Sequence, residues 1–291
     1  MISLFSNQLE ATMTRTVLIT GCSTGIGRQL AEAMHDKGYQ VIATARDQTR
    51  LTPLNQRGIT TLSLDVTRDD SILAARQEIE NLGLQVDILI NNAGYGAMGP
   101  IVEMPAAEME KQFATNVYGP VNMVRAFTPM MRQQGGGMIV NVGSVSGILV
   151  TPFSGAYCAT KAALHALSDA MRMELAPFNI EVMTVMPGAI ESEFGNSAEA
   201  SLARTLPPDS LYQWARESIR KRARASQANP TPTKEFVAAL LSRIEARHPK
   251  AEVAIGNGSR TLPLLARVTP TRIRDWLLQR SFGLHNYSQG K

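Results

Sequence analysis

The sequence has little of what several classes of protein require. Its 291 residues include only two cysteines, Cys22 and Cys158, which excludes a fold built on disulfides and indicates reduced thiols in a cytosolic protein. It contains no run of about 18 apolar residues that would cross a bilayer as a helix. The opening MISLFSNQLEATMTR lacks a basic start followed by an apolar stretch, so we predict no secretory signal and a cytoplasmic location.

Disorder is excluded by composition, because 44% of the residues are hydrophobic and only 19% are charged. The four histidines lack ligand spacing and the methionines are predicted to pack in the core, so we predict no metal site. Six basic residues lie between Arg204 and Arg224, and the formal net charge of the chain is +4. Because the segment has no interleaved aromatic platform, it predicts a solvated helix face and no nucleic-acid partner.

Apolar runs alternate with amphipathic stretches along the first two-thirds of the chain, which predicts an α/β fold with a parallel sheet. The predicted strands cover residues 16–20, 40–45, 60–64, 86–90, 138–142, 180–185 and 252–256. The predicted helices cover residues 25–37, 69–82, 106–133, 155–176, 208–225 and 233–247. The strands are almost continuously apolar, which is typical of strands buried on both faces.

A glycine-rich segment, TGCSTGIG, follows the first predicted strand and opens the first predicted helix. Glycines allow a tight turn and let backbone amides approach a phosphate, and the helix presents its positive amino-terminal end. The spacing G-x-x-x-G-x-G is neither the Walker pattern nor the G-x-G-x-x-G fingerprint. Its place between strand and helix favours a dinucleotide site over a purely structural turn.

The end of the second predicted strand bears on which dinucleotide is bound. An acidic residue there receives the ribose 2′-hydroxyl of NAD, whereas an arginine suits the 2′-phosphate of NADP. Ala45 is followed by Arg46, which can form a bidentate pair with phosphate, and then by Asp47, which weakens the signal. We predict NADP(H) as the cofactor; a surface arginine without a partner is the alternative.

Tyr157 and Lys161 are four residues apart in the segment YCATK, so they share one face of a predicted helix. A nearby ammonium favours the phenolate, which makes proton exchange with an alcohol or a carbonyl feasible. Ser144, just past the fifth predicted strand, can hydrogen-bond the same substrate oxygen. The Y-x-x-x-K spacing alone is common by chance, but its combination with the glycine-rich turn, with NNAG at 91–94 and with Ser144 predicts an active site.

In these motifs the sequence resembles the short-chain dehydrogenase/reductase family. The resemblance covers about residues 15–190 and rests on TGCSTGIG, Asp65-Val66, NNAG, Asn116 within TNVYG, Ser144, YCATK and Pro187-Gly188. It implies one Rossmann-type domain over residues 15–258, with a doubly wound parallel sheet of about seven strands and helices on both faces. Residues 1–14 are then an amino-terminal extension, 191–232 a variable substrate-binding segment and 259–291 a helical, amphipathic carboxyl-terminal extension.

The resemblance implies a catalytic tetrad of Asn116, Ser144, Tyr157 and Lys161. In this family the tyrosine donates or accepts the proton. The lysine binds the nicotinamide ribose and lowers the pKa of the tyrosine. The serine positions the substrate oxygen, and the asparagine anchors a water of the proton relay.

The resemblance also implies cofactor contacts. Asp65 is expected at the adenine and Asn92 at the adenosine ribose. Ser192 stands where the family usually has threonine and can still hydrogen-bond the carboxamide. The full set of predicted cofactor contacts is Gly21, Ser23, Thr24, Gly25, Ile26, Gly27, Arg46, Asp65, Val66, Asn92, Ala93, Gly94, Tyr157, Lys161, Pro187, Gly188, Ile190 and Ser192.

Within the family, VLITGCSTGIG, ATARD and YCATKAALHALSDAMRMEL resemble the branch of 17β-hydroxysteroid dehydrogenases, retinol dehydrogenases and bacterial NADP-dependent aldehyde reductases. This implies an NADP(H)-dependent oxidoreductase that interconverts a lipophilic ketone or aldehyde and the corresponding alcohol by hydride transfer. Two alternatives stay open. One is a 3-oxoacyl-thioester reductase whose acidic carrier protein meets the basic 204–224 segment, and the other is an NADPH-binding sensor or scaffold without turnover.

Residues 259–284 combine an apolar side with a basic side. The apolar residues are Leu262, Leu264, Leu265, Val268, Ile273, Trp276, Leu277 and Leu278, and the basic ones are Arg260, Arg267, Arg272, Arg274 and Arg280. Pro263 and Pro270 are predicted to break the segment into short pieces. We predict a lid over the pocket or a packing element; a peripheral contact with an anionic membrane surface is the alternative.

The family commonly forms dimers and tetramers through two long helices, here over 106–133 and 155–176, so a homo-oligomer is expected. The apolar residues offered by these helices are Met109, Phe113, Leu164 and Leu167. The runner-up is a monomer or dimer, with the tail blocking the usual tetramer edge.

Overall fold

The computed structural model describes residues 14–287, so nearly all of the predicted amino-terminal extension and residues 288–291 lie outside the described residues. The seven strands are β1 (Thr16–Ile19), β2 (Gln40–Ala45), β3 (Thr60–Ser63), β4 (Ile88–Asn91), β5 (Gly137–Val142), β6 (Ile180–Pro187) and β7 (Glu252–Ile255). They form one sheet in the order β3-β2-β1-β4-β5-β6-β7, and every neighbouring pair is parallel. The predicted doubly wound sheet is confirmed.

The helices before β6 follow the predicted positions closely, apart from one single-turn helix that the sequence did not predict. They are α1 (Gly25–Asp36), the single turn α2 (Thr52–Asn55), α3 (Asp69–Asn81), α4 (Ala106–Phe113), α5 (Gly119–Gln133) and α6 (Gly155–Leu175). The helix predicted over 106–133 is continuous in the chain but contains a π-helical turn at Ala114–Tyr118, between α4 and α5. Such turns are frequent at functional sites.

Alternate residues of β1 face opposite sides of the sheet, because side chains of a strand alternate in direction. Val17 and Ile19 pack in a buried cluster with α1 and with α9 (Thr233–Ile244), which contributes Phe236. Leu18 packs on the other face, in a cluster with residues of α3, α5 and α6; Phe127 of α5 belongs to this cluster. Both faces of the sheet are covered by helices, as the near-continuous apolar strands predict.

The chain between β6 and β7 contains two further helices besides α9, α7 (Phe194–Thr205) and α8 (Arg216–Ala223). The sequence did not predict α7, and α8 is shorter than the helix predicted over 208–225. In α7, Phe194, Ala198 and Leu202 recur every four residues and pack in a third apolar cluster that also holds Tyr157. This cluster puts the variable segment next to the predicted proton-transferring residue.

The tail forms two short helices, α10 (Thr261–Val268) and α11 (Thr271–Ser281). Pro270 separates them, as predicted. Pro263 does not interrupt a helix, contrary to the prediction. It lies in the first turn of α10, where no intrahelical N–H bond is lost. The helical character of the extension is therefore confirmed.

Candidate active site

The glycine-rich turn joins β1 to α1 at the point where the strand order reverses between β1 and β4. Gly21 and Gly25 have φ angles of +75° and +58°, which glycine adopts at little cost. A Cβ at Gly27 would overlap the side-chain amide of Asn92. The first turn of α1 holds no acidic side chain, and Thr24 makes no side-chain cap. The backbone N–H groups of this turn can therefore bind an anion.

Asn92 holds the glycine-rich turn through hydrogen bonds. Its Nδ2 donates to the carbonyl oxygens of Thr20 and Gly21 at 2.9 and 3.1 Å, and its backbone N–H donates to Oγ1 of Thr20 at 3.1 Å. The resemblance implies a ribose contact for this amide. In the structure both hydrogen bonds of this amide go to the glycine-rich turn and hold its shape, and the ribose contact stays a prediction.

Arg46 is exposed at the end of β2 and lines the same cavity as the glycine-rich turn. Asp47 does not pair with it, because the Asp47 carboxylate accepts hydrogen bonds from Oγ1 and N of Thr49 at 2.6 and 3.0 Å, and these bonds lower its pKa. None of the ion pairs formed within residues 14–287 includes Arg46. Asp47 therefore leaves the guanidinium available to a phosphate.

All of the predicted cofactor contacts line one cavity of about 950 Å³, which is large for a single small molecule. Asp65 follows β3, and its carboxylate accepts hydrogen bonds from N and Oγ1 of Thr67 at 2.9 and 2.7 Å. Ser192, after β6, is half-buried, and its Oγ accepts from the backbone N–H of Phe194 at 3.4 Å. The same cavity includes Ser144, so predicted cofactor and substrate contacts share one space.

Helix α6 places Tyr157 and Lys161 on the face that lines this cavity. The Nζ atom of Lys161 lies 5.8 Å from the centroid of the Tyr157 ring and donates to the carbonyl oxygen of Val142 at 2.7 Å. An ammonium has three N–H donors, so two remain after this bond. Ser144 follows β5, and its Oγ accepts from the backbone N–H of Ser146 at 3.1 Å. The hydroxyl proton of Ser144 is thereby left to donate elsewhere.

Burial raises the pKa of Tyr157 to about 12, while a hydrogen bond with Ser144 and the charge of Arg222 lower it less. Burial also lowers the pKa of Lys161 to about 8. The resemblance implies that Lys161 lowers this pKa, and that contribution stays a prediction. The pKa is raised because the phenol is enclosed, with the ring of Phe194 at 5.2 Å between centroids, and desolvation disfavours its charged form.

Asn116 lies in the π-helical turn and is buried behind the cavity, which it does not line. Its Nδ2 donates to the carbonyl oxygen of Tyr95 at 2.8 Å and to Oγ1 of Thr160 at 3.1 Å, and its Oδ1 accepts from the backbone N–H of Tyr95 at 3.1 Å. The role that the resemblance implies for this residue, anchoring a water of the proton relay, stays a prediction. Its amide holds the segment after β4 against α6.

His165 is a site residue that the sequence reasoning missed. It lies four residues after Lys161 on α6, and its Nε2 accepts a hydrogen bond from the backbone N–H of Ser144 at 3.3 Å. Its ring packs directly against Gly143 and Gly147, where a Cβ would overlap it. Burial lowers its pKa to about 4, so at neutral pH it is the neutral acceptor that this bond needs. The spacing Tyr157-Lys161-His165 is the signal that could have identified it.

A buried carboxylate ties the variable segment to the core. Glu108 of α4 accepts hydrogen bonds from Nε and Nη2 of Arg204 of α7 at 2.8 and 3.1 Å, and from the hydroxyl of Tyr95 at 3.2 Å. The hydrogen bond with Arg204 is the main cause that holds the pKa of Glu108 below its usual value. The tie fixes α7 above the cavity.

The basic 204–224 segment is not simply the solvated helix face that the sequence predicts. Arg204 pairs with Glu108, Arg224 with Glu199, and Arg220 with Glu199 and Glu217. Arg222 is buried and lines the cavity. Most of the ion pairs of this segment therefore join α7 and α8 to other elements or to each other, and one of its guanidinium groups is buried.

The tail contributes to the wall of the cavity. Leu262 and Leu265 of α10, Leu278 of α11 and Phe282 line it. The lid stays a prediction, because the other five apolar residues of the predicted side are exposed: Leu264, Val268, Ile273, Trp276 and Leu277. Leu164 was predicted to be available for an oligomer contact. This part of the prediction is wrong, because Leu164 is buried within the chain at 1% exposure.

Residues 14–287 contain no group of three or more histidine, cysteine, aspartate or glutamate side chains that could hold a metal ion. In that range, no helix is both long and apolar enough to cross a membrane. Cys22 and Cys158 are free and buried.

A parallel sheet that reverses its strand order beside a glycine-rich turn is the architecture of dinucleotide-binding enzymes. The comparisons with known proteins agree with this class. The family model for the short chain dehydrogenases matches residues 15–203. The chain belongs to the short-chain dehydrogenase family, and as a member it is an oxidoreductase with a pyridine-nucleotide site.

Two relatives and one solved structure illustrate the similarity. A short-chain dehydrogenase, ptmH, of Penicillium ochrochloron is 39% identical over 73% of this chain and 78% of its own length. The NADPH-dependent 1-acyldihydroxyacetone phosphate reductase of Schizosaccharomyces pombe is 36% identical over 76% of this chain and 73% of its own. The crystal structure of a short-chain dehydrogenase from Streptomyces avermitilis is 30% identical, with a TM-score of 0.78 over 94% of this chain and all of that one.

Proposed function

We propose that the protein is an NADP(H)-dependent oxidoreductase that interconverts a lipophilic ketone or aldehyde and the corresponding alcohol. One observation carries the proposal. The glycine-rich turn and Arg46 line the same cavity as Ser144, Tyr157 and Lys161, and apolar side chains of the tail complete its wall.

The chain supplies a matching set of donors for NADP(H). The N–H groups at the start of α1 bind the pyrophosphate, and Arg46 binds the 2′-phosphate. The two remaining Nζ protons of Lys161 hold the nicotinamide ribose. When bound, NADPH supplies a hydride to the carbonyl carbon and leaves as NADP⁺. The Schizosaccharomyces pombe relative, an NADPH-dependent reductase, supports this choice of cofactor.

Tyr157 donates its hydroxyl proton to the carbonyl oxygen, and Ser144 donates a hydrogen bond to the same oxygen. In the reverse direction Tyr157 accepts the alcohol proton. Because burial raises the pKa of Tyr157 to about 12, the phenol is protonated at neutral pH. This is the state that donates a proton to the carbonyl oxygen.

Apolar side chains near Tyr157 support a lipophilic substrate. Phe194 and Leu202 of α7 pack in its cluster, and Leu265 and Leu278 of the tail line the cavity. We propose that α10 and α11 act as a lid over the apolar part of the substrate. The Schizosaccharomyces pombe relative acts on an acylated substrate, which agrees with this preference.

The test is a turnover assay with NADPH against long-chain aldehydes, ketosteroids and 3-oxoacyl thioesters. We expect reduction of the aldehydes or ketosteroids. The variant Tyr157→Phe is expected to bind NADPH as the wild type does and to lose most turnover, because only the proton-donating hydroxyl is removed. A preference for thioesters would favour the carrier-protein alternative. NADPH binding without turnover on any substrate would favour the sensor or scaffold.

A further inference from the structure

The structure holds one buried charge that the proposed mechanism does not use. The buried charged residues among residues 14–287 are Glu108, Lys161 and Arg222. Glu108 pairs with Arg204, and Lys161 lies in the proposed proton-transfer site. Arg222 of α8 has no such assignment.

Arg222 is only partly satisfied by the protein. Its Nε donates to Oγ1 of Thr151 at 2.6 Å. Burial lowers the pKa of the guanidinium, and the nearby thiol of Cys158, the residue after Tyr157, opposes that shift. A guanidinium has five N–H donors in a planar fork, so the bond to Thr151 leaves part of the fork unused. No carboxylate among residues 14–287 forms an ion pair with it. A buried charge without a counter-charge is costly, unless a ligand supplies the anion.

The cavity around Arg222 does not supply that anion. Two carboxylates line the cavity, Asp65 and Glu193. Asp65 accepts hydrogen bonds from Thr67, and Glu193 accepts one from Asn196 at 2.7 Å. The remaining charged residues of the cavity wall are the cations Arg46, Lys111, Lys161, Arg204 and Arg222. The wall still carries more positive than negative charge, although Arg204 is paired with Glu108. Two cations, Lys161 and Arg222, lie near Tyr157, and of these only Arg222 has no role in the proposed mechanism.

We infer that Arg222 binds an anionic group of the substrate, a carboxylate or a phosphate, so that the ketone or aldehyde is reduced as part of an acidic amphiphile. The planar guanidinium suits two oxygens of either group. The apolar part of the same molecule lies against α7 and the tail. This inference rests on the proposed function, because it assigns the substrate class of that same site.

The contact with Thr151 gives Arg222 a structural role as well. It ties α8 to the loop before α6, where Thr151 and Ser154 share a hydrogen bond of 2.8 Å. A variant that merely loosened this contact would impair every substrate equally. A substrate-charge readout separates the two roles, because only the binding role distinguishes an acid from its neutral ester.

The experiment compares matched substrates in the wild type, Arg222→Gln and Arg222→Lys. The pairs are 3-oxodecanoate with its methyl ester, and 2-oxodecyl phosphate with its dimethyl ester. We expect the wild type to prefer one or both acids, and Arg222→Gln to lose about 10- to 100-fold in kcat/KM on that acid, mainly through KM, with little change on its ester. The lysine variant is expected to recover part of the loss. Which acid is preferred identifies carboxylate or phosphate.

The matched control is Arg224→Gln, because Arg224 is exposed and pairs with Glu199. It is expected to leave the acid-to-ester ratio unchanged. Binding of decanoate and of decyl phosphate, measured by calorimetry in the presence of NADP⁺, gives a readout without turnover. An anion that binds the wild type and not Arg222→Gln supports the inference even if no substrate is reduced. An equal loss on acids and esters, or a wild type without preference for either acid, overturns it.

Discussion

His165 gives the protein a pH-dependent stability that can be calculated from its surroundings. Its ring is enclosed by Gly143 and Gly147 and accepts the backbone N–H of Ser144. Burial, followed by the charge of Lys161, lowers its pKa from 6.5 to about 4. Protonation would replace the acceptor with a donor that faces another donor. The perturbation is therefore a fall in pH. Its effect on the stability of the wild type is compared with its effect on the variant His165→Gln, which lacks the titrating group.

The sign follows from the direction of the shift. Because the folded-state pKa lies below the unfolded value, the unfolded chain takes up the proton first as the pH falls. The stabilisation is present above pH 6.5 and is lost as the pH falls through that value towards 4. From these two values, the free energy of unfolding decreases by about 2 kcal/mol at pH 5 and about 3 kcal/mol at pH 4 from this residue alone.

The assay is urea unfolding at pH 7, 6, 5 and 4, with the free energy of unfolding compared between variants. His165→Gln is expected to be less stable than the wild type at pH 7 and to approach it as the pH falls, because its profile lacks this slope. Carboxylates that titrate in the same range are common to both proteins and cancel in the difference. His248→Gln, at an exposed histidine, is the control and keeps the wild-type slope. Parallel profiles for wild type and His165→Gln would refute the reasoning.

Four further predictions concern the site and its cover. Glu108→Gln is expected to lower the free energy of unfolding by about 1–2 kcal/mol in urea titrations, a value reduced because the Arg204 side chain is 52% exposed; an unchanged midpoint would contradict it. Arg46→Ala is expected to weaken NADPH binding about 10- to 150-fold and leave NADH binding unchanged, as titration of each nucleotide would show. Removal of residues 259–291 is expected to raise the Michaelis constant for a long-chain aldehyde more than for a short one; lost sedimentation with anionic vesicles and unchanged kinetics would favour the membrane alternative. Light scattering over a dilution series is expected to give a dimer or tetramer, and a monomer throughout would contradict this.

The sheet could be predicted from the sequence because its signals are local. Each strand is a short apolar run, and the structure shifts the predicted boundaries only slightly, as at β4, which begins at Ile88. The signals of the site are local as well. The glycine-rich turn directly follows β1, Arg46 directly follows β2, and Tyr157 and Lys161 lie one helical turn apart. Their convergence on one cavity follows from the parallel order of the strands, which brings the carboxyl ends to one edge.

The remainder of the site depends on contacts between distant residues, which no local pattern encodes. Glu108 and Arg204 are 96 residues apart in the chain. Arg222 is one of several arginines in its segment, and only the packing of α8 distinguishes the buried one. Helix α7 was missed because its residues are mostly small and polar, and its helical periodicity rests on few apolar side chains. The rise in the pKa of Tyr157 could not be predicted, because the sequence shows the neighbouring charge and not the enclosure of the ring.

The long connection between β6 and β7 has a consequence for how this protein can diverge. The two strands are hydrogen-bonded neighbours with Pro187 paired to Ile255, and bridges from Ala189 to Asn257 and from Ile190 to Thr231 pin the connection at its ends. The entropic cost of closing such a loop grows only with the logarithm of its length, by about 0.6 kcal/mol for each doubling. Residues can therefore be inserted or replaced over the cavity while the sheet and the nucleotide-binding turn keep their geometry. The match to the family model also ends within this connection, at residue 203 of α7.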